Sequence, residues 1–327
     1  MPQTSYGDIS PRTAAAVAAG FLDRAEPVLV IEHFGQSKPL PGRKTQTMIF
    51  RRYNALDPTP KVLTEGVTPS SNSLTSTDVT LTLQQMGDGL QTSDIVIDTH
   101  EDPVLQQMQD VLGEQSGQMV ELMRFGKLKA GTNVFYANGS ARTDVNTTLT
   151  LALQRQITRS LKRQNAKKIT RVVRSTPDYG TKAIAPSFIA FCHVDLENVI
   201  RGLAGFVPPE EYGQLTPYPS EIGKVEDVRY ISSTIFEPWD DAGGAHGTMI
   251  STTGTSADVY PILYISRDAY AISALKGEYA ITPMVTNPKA SDSDPWAQRG
   301  WVTWKTMQGA VILNDAWMVR AEIAIPE

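Results

Sequence analysis

The sequence has a single cysteine, Cys192, among its 327 residues. One cysteine excludes a disulfide within the chain and any zinc site built from several cysteines, and it is typical of a protein made in a reducing, cytoplasmic compartment. On a strand, the neighbouring His193 would point to the opposite face, which argues against a cysteine–histidine nucleophile pair. We interpret Cys192 as a small buried apolar residue.

Long hydrophobic runs are absent as well. The longest run near the N-terminus, residues 14–22, is too short to span a bilayer, and the polar start MPQTSYGDIS lacks the apolar core of a signal peptide. The formal net charge of -5 is modest, so nothing global marks a nucleic-acid or membrane-surface binder. We therefore expect no membrane partner.

Motifs for catalysis and for ligand binding are also missing. Residues 35–45 end in Gly-Arg-Lys-Thr, but a phosphate-binding loop needs glycine where Ser37 stands and lysine where Arg43 stands. The glycine-rich residues 241–247 lack the GxGxxG spacing, and the four histidines are too far apart in sequence to form a close ligand pair. The sequence predicts no enzyme activity, no cofactor and no metal site.

The most strongly patterned stretch that is present covers residues 99–130. Asp102-Pro103 is a typical helix start, apolar residues follow at a spacing close to 3.6, and Gly131 is a natural stop. The predicted helix is roughly 40 Å long, and we name it the spine helix. Gly113 and Gly117 within it mark either tolerated glycines or the close approach of a neighbouring backbone.

Strand patterns precede the spine helix. Residues 45–53 are rich in β-branched and aromatic side chains, and residues 76–83 alternate between apolar and polar ones. A long stretch rich in proline, serine and threonine separates them, which predicts a long hairpin. Because two strands alone are marginally stable in water, this hairpin is expected to lie on another part of the structure or on another subunit.

The remainder of the chain reads as a mixed α/β arrangement, with short β-rich pieces alternating with loops from residue 184 onward. Four further features are predicted: a helix over residues 11–26, a hairpin over 134–143 that turns at Asn138-Gly139, a helix over 147–165, and closing strands over 301–313 and 317–325.

Basic residues are concentrated between positions 155 and 174, and no acid interrupts them. Two interpretations stay open: a solvated helix face, or a surface for a polyanion or an acidic partner, whose phosphate contacts would be independent of sequence and sensitive to salt. Aromatic residues are absent, which argues against stacking of single-stranded bases. The basic residues are Arg155, Arg159, Lys162, Arg163, Lys167, Lys168, Arg171 and Arg174.

A second charge pattern involves the hairpin and the spine helix. The first hairpin strand and the residues before it are basic, whereas the spine helix carries acids. Across subunits, such charges would set register and partner choice more than raw affinity. The residues are Arg43, Lys44, Arg51 and Arg52 on the hairpin side, and Asp110, Glu114 and Glu121 on the spine helix.

Several runs of the sequence resemble the major capsid proteins of podovirus-type tailed bacteriophages, and they follow in matching order along nearly the whole chain. The order of the elements is likewise similar to the Hong Kong 97 phage-capsid fold, an α+β fold. The matching runs are TSYGDISPRTA (4–14), HFGQSKPLP (33–41), FRRYNAL (50–56), THEDPVLQ (99–106), LKAGTNVFYANG (128–139), LKRQNAKKIT (161–170), IGKVEDVRYI (222–231) and LNDAWMVRAE (313–322).

The resemblance implies a division of the chain and a role. The implied segments are an N-terminal arm (1–42), an extended hairpin loop lying over a neighbouring subunit (43–98), a peripheral domain with the spine helix (99–180), an axial domain (181–310) and a terminal strand returning to the peripheral domain (311–327). The implied role is that of a non-enzymatic shell protein whose hexamers and pentamers form an icosahedral capsid around double-stranded DNA. It would be located in the virion after assembly in the host bacterial cytoplasm.

The resemblance also implies partners. These are further copies of the chain, portal proteins, cement or decoration proteins, and double-stranded DNA in non-specific contact with the basic residues. Because the chain begins directly with its arm, a separate scaffolding protein is expected.

Two alternatives stay open at the level of sequence. An encapsulin would use the same fold to enclose an enzyme instead of a genome, and it would need a groove for a cargo peptide. A soluble nucleic-acid-binding protein would use residues 155–174, with an affinity that falls steeply with salt.

Overall fold

The computed structural model describes residues 29–40, 45–60, 62, 65–66, 68, 71–99, 104–172, 182–212, 216–275, 281–290 and 294–327. The predicted helix over residues 11–26 and the start of the spine helix at Asp102-Pro103 lie outside these ranges. The helices are α1 (Asp94–Thr99), α2 (Val104–Lys129), α3 (Leu151–Arg163) and α4 (Glu197–Arg201). The strands are β1 (Gln36–Ser37), β2 (Thr47–Tyr53), β3 (Ser76–Thr82), β4 (Gln84–Ser93), β5 (Val134–Tyr136), β6 (Ile169–Val172), β7 (Lys182–His193), β8 (Phe206–Val207), β9 (Glu221–Val225), β10 (Val228–Ser233), β11 (Tyr260–Ile265), β12 (Tyr270–Ala274), β13 (Ile281–Thr286), β14 (Arg299–Ile312) and β15 (Met318–Ile323).

The spine helix is confirmed as α2, a single helix of 26 residues. Its buried stripe packs first on one sheet, through Leu112 and Val120, and then on a second sheet, through Phe125 and Leu128. Gly113 and Gly117 are both buried, and the close approach of a neighbouring backbone to them stays a prediction. The helix thus joins the two larger sheets of the described structure.

The first of these sheets has five strands built around the long strand β14. Strand β4 pairs with one edge of β14, while β12 and β13 pair with the other, and β1 adds to β12. Val302 and Trp304 on β14 are buried against the spine helix. The spine helix therefore lies on this sheet.

The predicted hairpin is confirmed as β2 and β3, which pair from Thr47 with Thr82 to Tyr53 with Ser76. The alternation in 76–83 buries Leu81 and Leu83 and leaves Thr80 and Thr82 exposed. These leucines pack with Met48 and Phe50 of β2 on the end of the five-stranded sheet. The base of the hairpin is thus held by its own subunit.

The second sheet has eight strands in the order β5-β15-β11-β7-β10-β9-β8, with β6 also pairing with β7. The helix predicted over residues 147–165 is confirmed as α3. It covers one face of this sheet through Leu153, Ile157 and Leu161. The other face packs against the end of the spine helix and the segment around Phe34. Cys192 lies fully buried in the core under α3, as predicted.

A buried ion-pair cluster holds the C-terminal end of the spine helix to the eight-stranded sheet. The carboxylate of Glu322 on β15 is fully buried and accepts two hydrogen bonds from Arg142, at 2.8 and 2.9 Å, while its Oε1 lies 2.9 Å from Nε of Arg320. Arg320 also donates to the carbonyl of Gly131, 3.0 Å away, just beyond the helix. The guanidinium of Arg142 stacks 3.5 Å from the ring centroid of Trp239.

The hairpin predicted at Asn138-Gly139 is wrong. Strand β5 pairs in parallel with β15, and the chain after the turn forms the 3-10 helix Arg142–Asp144. Gly139 does adopt the positive φ of a turn, +70°. The Asn138 amide, however, donates to the Asp144 carbonyl and to Asn146 (2.8 and 2.9 Å), so the turn closes a local loop.

The sheets group the elements in a way that the sequence did not indicate. The resemblance places residues 84–93 in the extended loop. They form β4, and the whole length of β4 pairs with β14. The closing strands form as predicted, but β14 lies in the five-stranded sheet and β15 in the eight-stranded one. Whether the chain divides into the implied five segments stays a prediction.

Candidate functional site

The hairpin offers a large exposed surface beyond its anchored base. Residues 51–60 are all exposed, and so are several large apolar side chains of the hairpin and its connecting loop. Ile49 is 58% exposed, Tyr53 61%, Leu74 68% and Val62 94%. Exposed apolar residues concentrated on one projecting element are typical of a protein–protein interaction surface.

The predicted hairpin cations differ in their surroundings. Arg51 donates two hydrogen bonds of 2.8 Å to Asp78 on the neighbouring strand, and this pairing lowers the pKa of Asp78 and raises that of Arg51. Arg52 is exposed and makes no ion pair within the described residues. Arg43 and Lys44 lie outside those residues. Of the two described arginines, Arg52 is the one whose charge is available to a partner.

The predicted spine acids are split between the surface and the interior. Glu114 is exposed and Asp110 half-buried, on the side of the helix that also exposes Val111 and Leu122. Glu121, in contrast, has no exposed surface. The prediction that Glu121 contacts another subunit is therefore wrong, because its carboxylate is enclosed within its own chain.

Glu121 instead fastens the segment before β1 to the spine helix. Its Oε1 accepts hydrogen bonds from the backbone N–H groups of Val30, at 3.0 Å, and Ile31, at 2.7 Å. The neighbouring Arg124 donates to Glu32 of the same segment, at 2.9 Å, and to Gln308 of β14, at 2.7 Å. Burial raises the pKa of Glu121 to about 7, although Arg124 opposes the shift.

The predicted basic patch lies on α3 and the residues after it. The helix is fixed on the sheet by a buried network in which the Tyr230 hydroxyl donates to Gln154, at 2.9 Å, and Gln154 donates to the carbonyl of Val225, at 2.9 Å. This anchoring points the opposite, basic side of the helix outward. An open groove on that side is lined by Arg155, Thr158, Arg159, Lys162, Arg163 and Glu226.

Acids from the turn between β9 and β10 neutralise part of the patch. Arg155 pairs with Glu226 at 2.5 Å, and Asp227 lies 2.5 Å from Lys162 and 2.8 Å from Lys168, which lowers the pKa of Asp227. These acids could not be assigned to the patch from the sequence, since they are about seventy positions away in the chain.

The other cations of the patch remain exposed. Arg159, Arg163 and Lys167 are exposed and make no ion pair with any residue that the structure describes. Arg171 lies on β6, and Arg174 is outside the described ranges. The arrangement gives a shallow surface with a net positive charge, suited to a polyanion backbone.

Chemistry that would indicate an enzyme is not seen in the described part of the chain. No three His, Cys, Asp or Glu side chains there are grouped so that they could hold a metal ion. Burial raises the pKa of the Cys192 thiol far above its usual range, so that this thiol is unreactive. Among the described helices, none is both long and apolar enough to cross a membrane.

Comparison with known proteins gives matches in structure alone. No protein-family model matches the chain, and no curated protein sequence matches it. Among solved structures, the capsid of Ralstonia phage GP4 matches with a TM-score of 0.69 and 11% identity, over 91% of each chain. The capsid of cyanophage Pam1 matches with a TM-score of 0.63 and 11% identity, over 100% of this chain and 97% of that one.

A third match agrees with these two. The head of Helicobacter pylori bacteriophage KHP40 has a TM-score of 0.58 and 11% identity, over 99% of this chain and 95% of that one. In all three comparisons, at least 91% of each chain is covered. The chain therefore has the α+β, Hong Kong 97-like fold of phage capsid proteins, as its sequence predicts.

Proposed function

We propose that the chain is the major capsid protein of a tailed, double-stranded-DNA bacteriophage. The observation that carries this proposal is the near-complete overlap of its fold with phage capsid chains. In the proposed role, copies of the chain form hexamers and pentamers that close into an icosahedral shell. The chain acts as a building element and catalyses no reaction.

The exposed hairpin supports this role, because it has the form of a contact between subunits. Its base is buried on its own subunit, while Arg52, Ile49 and Tyr53 are turned to solvent. In the shell, these side chains lie on a neighbouring copy, with Arg52 near the acids Asp110 and Glu114 of that copy's spine helix. Opposite charges at such a contact fix register and select the correct partner.

The basic patch on α3 supports a second part of the role. We infer that it faces the interior of the shell and contacts phosphates of the enclosed DNA without reading sequence. Arg159, Arg163 and Lys167 make these contacts, while Glu226 and Asp227 pair with Arg155, Lys162 and Lys168. Partial neutralisation keeps the DNA weakly held, and weakly held DNA can still move during packaging and release.

The proposal includes partners and a location. Assembly takes place in the bacterial cytoplasm with the help of a separate scaffolding protein. The finished shell joins a portal protein and binds cement or decoration proteins on its outside. The protein is then part of the virion.

Electron microscopy of the protein, expressed with and without the genes that surround its own, tests the proposal. Closed polyhedral shells, or hexamers and pentamers, are the expected products. A monomer that stays monomeric in both cases, even with a co-expressed scaffolding protein, would overturn the proposal. Enclosed DNA as opposed to an enclosed enzyme distinguishes a phage capsid from an encapsulin.

A further inference from the structure

The strand β4 forms an edge of the five-stranded sheet and lacks the usual protection of an edge. It has 10 residues, Gln84–Ser93, with no proline, lysine or arginine, and its register with β14 is continuous. Within the described residues, its other edge pairs with no strand. Natural edge strands are normally blunted by prolines, lysines, bulges or a short length, because an open edge invites pairing with another chain.

The opposite edge of the same sheet shows such protection. Its outer strand there, β13, carries Pro283 in its middle. A proline has no backbone N–H to donate to a further strand, so β13 is poorly suited to pair with another strand at its outer edge. The two edges therefore differ, and β4 is the one that can be extended.

A second open edge exists on the projecting hairpin. Strand β2 pairs with β3 on one side, and no strand that the structure describes pairs with its other side. It carries β-branched and aromatic residues, and Ile49 and Tyr53 on it are more than half exposed. Seven residues long, it is a strand that a neighbouring sheet could accept.

The two edges carry opposite charges. Residues 43–53 include Arg43, Lys44, Arg51 and Arg52 and no acid, whereas residues 84–98 include Asp88, Asp94 and Asp98 and no base. Strand β4 also lies beside the spine helix, whose Gln115 donates to Asp88 at 2.5 Å. A basic strand added to β4 would thus come close to the acids of the spine helix as well.

We propose that β2 of one copy pairs with the open edge of β4 in a neighbouring copy, so that one sheet continues across the contact between subunits. The inference rests on the proposed shell function and deepens it by naming the surface on which the hairpin lies. Backbone hydrogen bonds hold the two strands together, and the opposite charges favour this pairing over others.

Lysines placed on the edge test the proposal. The double variant Gln85→Lys/Gln91→Lys adds two charges to exposed positions of β4, and we expect the yield of shells to fall about tenfold while the unassembled subunit keeps its circular dichroism spectrum. Thr282→Lys/Thr286→Lys is the matched control, because it adds the same charges to exposed positions of the proline-protected β13. Normal assembly of the β4 variant, or equal losses in both variants, would overturn the proposal.

Engineered cysteines test the strand pairing through the gain of a crosslink, and this test does not depend on a loss of assembly. The only native thiol, Cys192, is buried and does not compete. Ile49→Cys on β2 is combined with one cysteine on β4, and oxidised shells are analysed on non-reducing gels. The β4 positions are the exposed Gln84, Gln85, Asp88, Leu90 and Gln91.

Each outcome of the cysteine experiment has a defined meaning. Covalent oligomers from at least one β4 position, absent from unassembled subunits and from Ile49→Cys combined with Thr282→Cys, are the expected result. Shells that form no such crosslink from any of the five positions would overturn the strand pairing and leave the shell function intact. A wild-type protein that forms no shells would overturn both.

Discussion

At the scale of single residues, the carboxyl group of Glu121 lies in the interior, beside the cation Arg124 and the acid Glu32. Arg124 and Glu32 face it from the spine helix and the segment before β1, and the Tyr270 hydroxyl, which donates to the Ile31 carbonyl at 2.6 Å, closes the cluster from β12. The Glu121 Oε2 has no hydrogen-bond partner in the described structure. Ionisation of Glu121 is therefore costly, and its protonated form is favoured.

This environment predicts a pH dependence of stability. The folded pKa of about 7 lies above the ordinary value of 4.5, so the stabilisation linked to protonation is complete below pH 4.5 and is lost as the pH rises through 7. Relative to Glu121→Gln, which does not titrate, the wild-type subunit should lose about 2 to 3 kcal/mol of unfolding free energy between pH 5 and 8. Urea denaturation of unassembled subunits at both pH values measures the difference. Parallel pH profiles for the two proteins would contradict the account.

Glu322 provides a second prediction at this scale. Replacing the fully buried carboxylate removes the counter-charge of Arg320, which is mostly buried, and of Arg142, which is partly buried. We expect Glu322→Gln to destabilise the subunit by about 3 kcal/mol. The control Glu197→Gln removes an exposed partner of Arg201 and should change stability by less than about 0.5 kcal/mol. Thermal or urea unfolding that shows equal effects for both variants would contradict the central role of this cluster.

At the scale of elements, α3 illustrates how charge is adjusted by a turn far away in sequence. The helix is amphipathic, with Ile157 and Leu161 buried and Arg159 and Arg163 exposed. Its position follows from its apolar side, while its net charge depends on Glu226 and Asp227. Binding of DNA to this face should therefore respond to both sets of residues.

Substitution of the unpaired cations tests this view. Arg159→Gln/Arg163→Gln should weaken the binding of a short DNA duplex and lower the slope of log K against log salt by about 2, close to 0.9 for each lost phosphate contact. Fluorescence anisotropy with unassembled subunits across a series of salt concentrations gives the slope. The matched control Arg201→Gln, on a different helix, should leave it unchanged.

Removal of the acid Asp227, which pairs with two lysines of the basic patch, should have the opposite effect on DNA binding. Asp227→Asn frees Lys162 and Lys168 for phosphate, so that DNA affinity should rise and the salt slope should increase by about 1 to 2. The same anisotropy assay measures it. An unchanged or weaker affinity would mean that these lysines do not face the DNA.

Elements with strong local patterns were predictable from the sequence. The spine helix, the β2–β3 hairpin and α3 each have a periodic apolar side, and each forms where its period indicates. Residues 84–93 were not recognised as a strand, because glutamine and glycine dominate them and their strand conformation depends on pairing with β14, more than two hundred positions later.

The site was less predictable than the fold, for a similar reason. On its own helix Glu121 resembles an exposed acid, but residues 30 and 31 cross the helix and bind its carboxylate in the interior. The basic run on α3 and after it was visible in the sequence, but the two acids that pair with three of its cations were not. The charge patterns of the sequence indicated where the charged surfaces lie. Contacts with residues far away in the chain determine which of these charges can bind a partner.

At the scale of the whole molecule, two sheets joined by one long helix leave the hairpin exposed on one side. An exposed hairpin whose base is buried on its own subunit is a form suited to contacts between identical copies. The hairpin cation Arg52, exposed and without an ion pair within the described residues, should act between copies.

Reversal of this charge tests that expectation. Arg52→Glu should lower the yield of shells severalfold at low salt while the circular dichroism and unfolding of the subunit stay unchanged, because the residue is exposed. Arg201→Glu is the matched control, placed on the short helix α4. Assembly is measured by sedimentation. Equal assembly of Arg52→Glu and wild type would remove Arg52 from the contact.

Cryo-electron microscopy of the purified particles tests whether the chain forms a phage capsid. We expect an icosahedral map in which this fold occupies hexamers and pentamers, with the hairpin on a neighbouring copy and α3 facing the interior. Particles without closed symmetry would contradict the capsid function, and a closed shell with α3 on its outer surface would contradict the assignment of the basic patch to DNA.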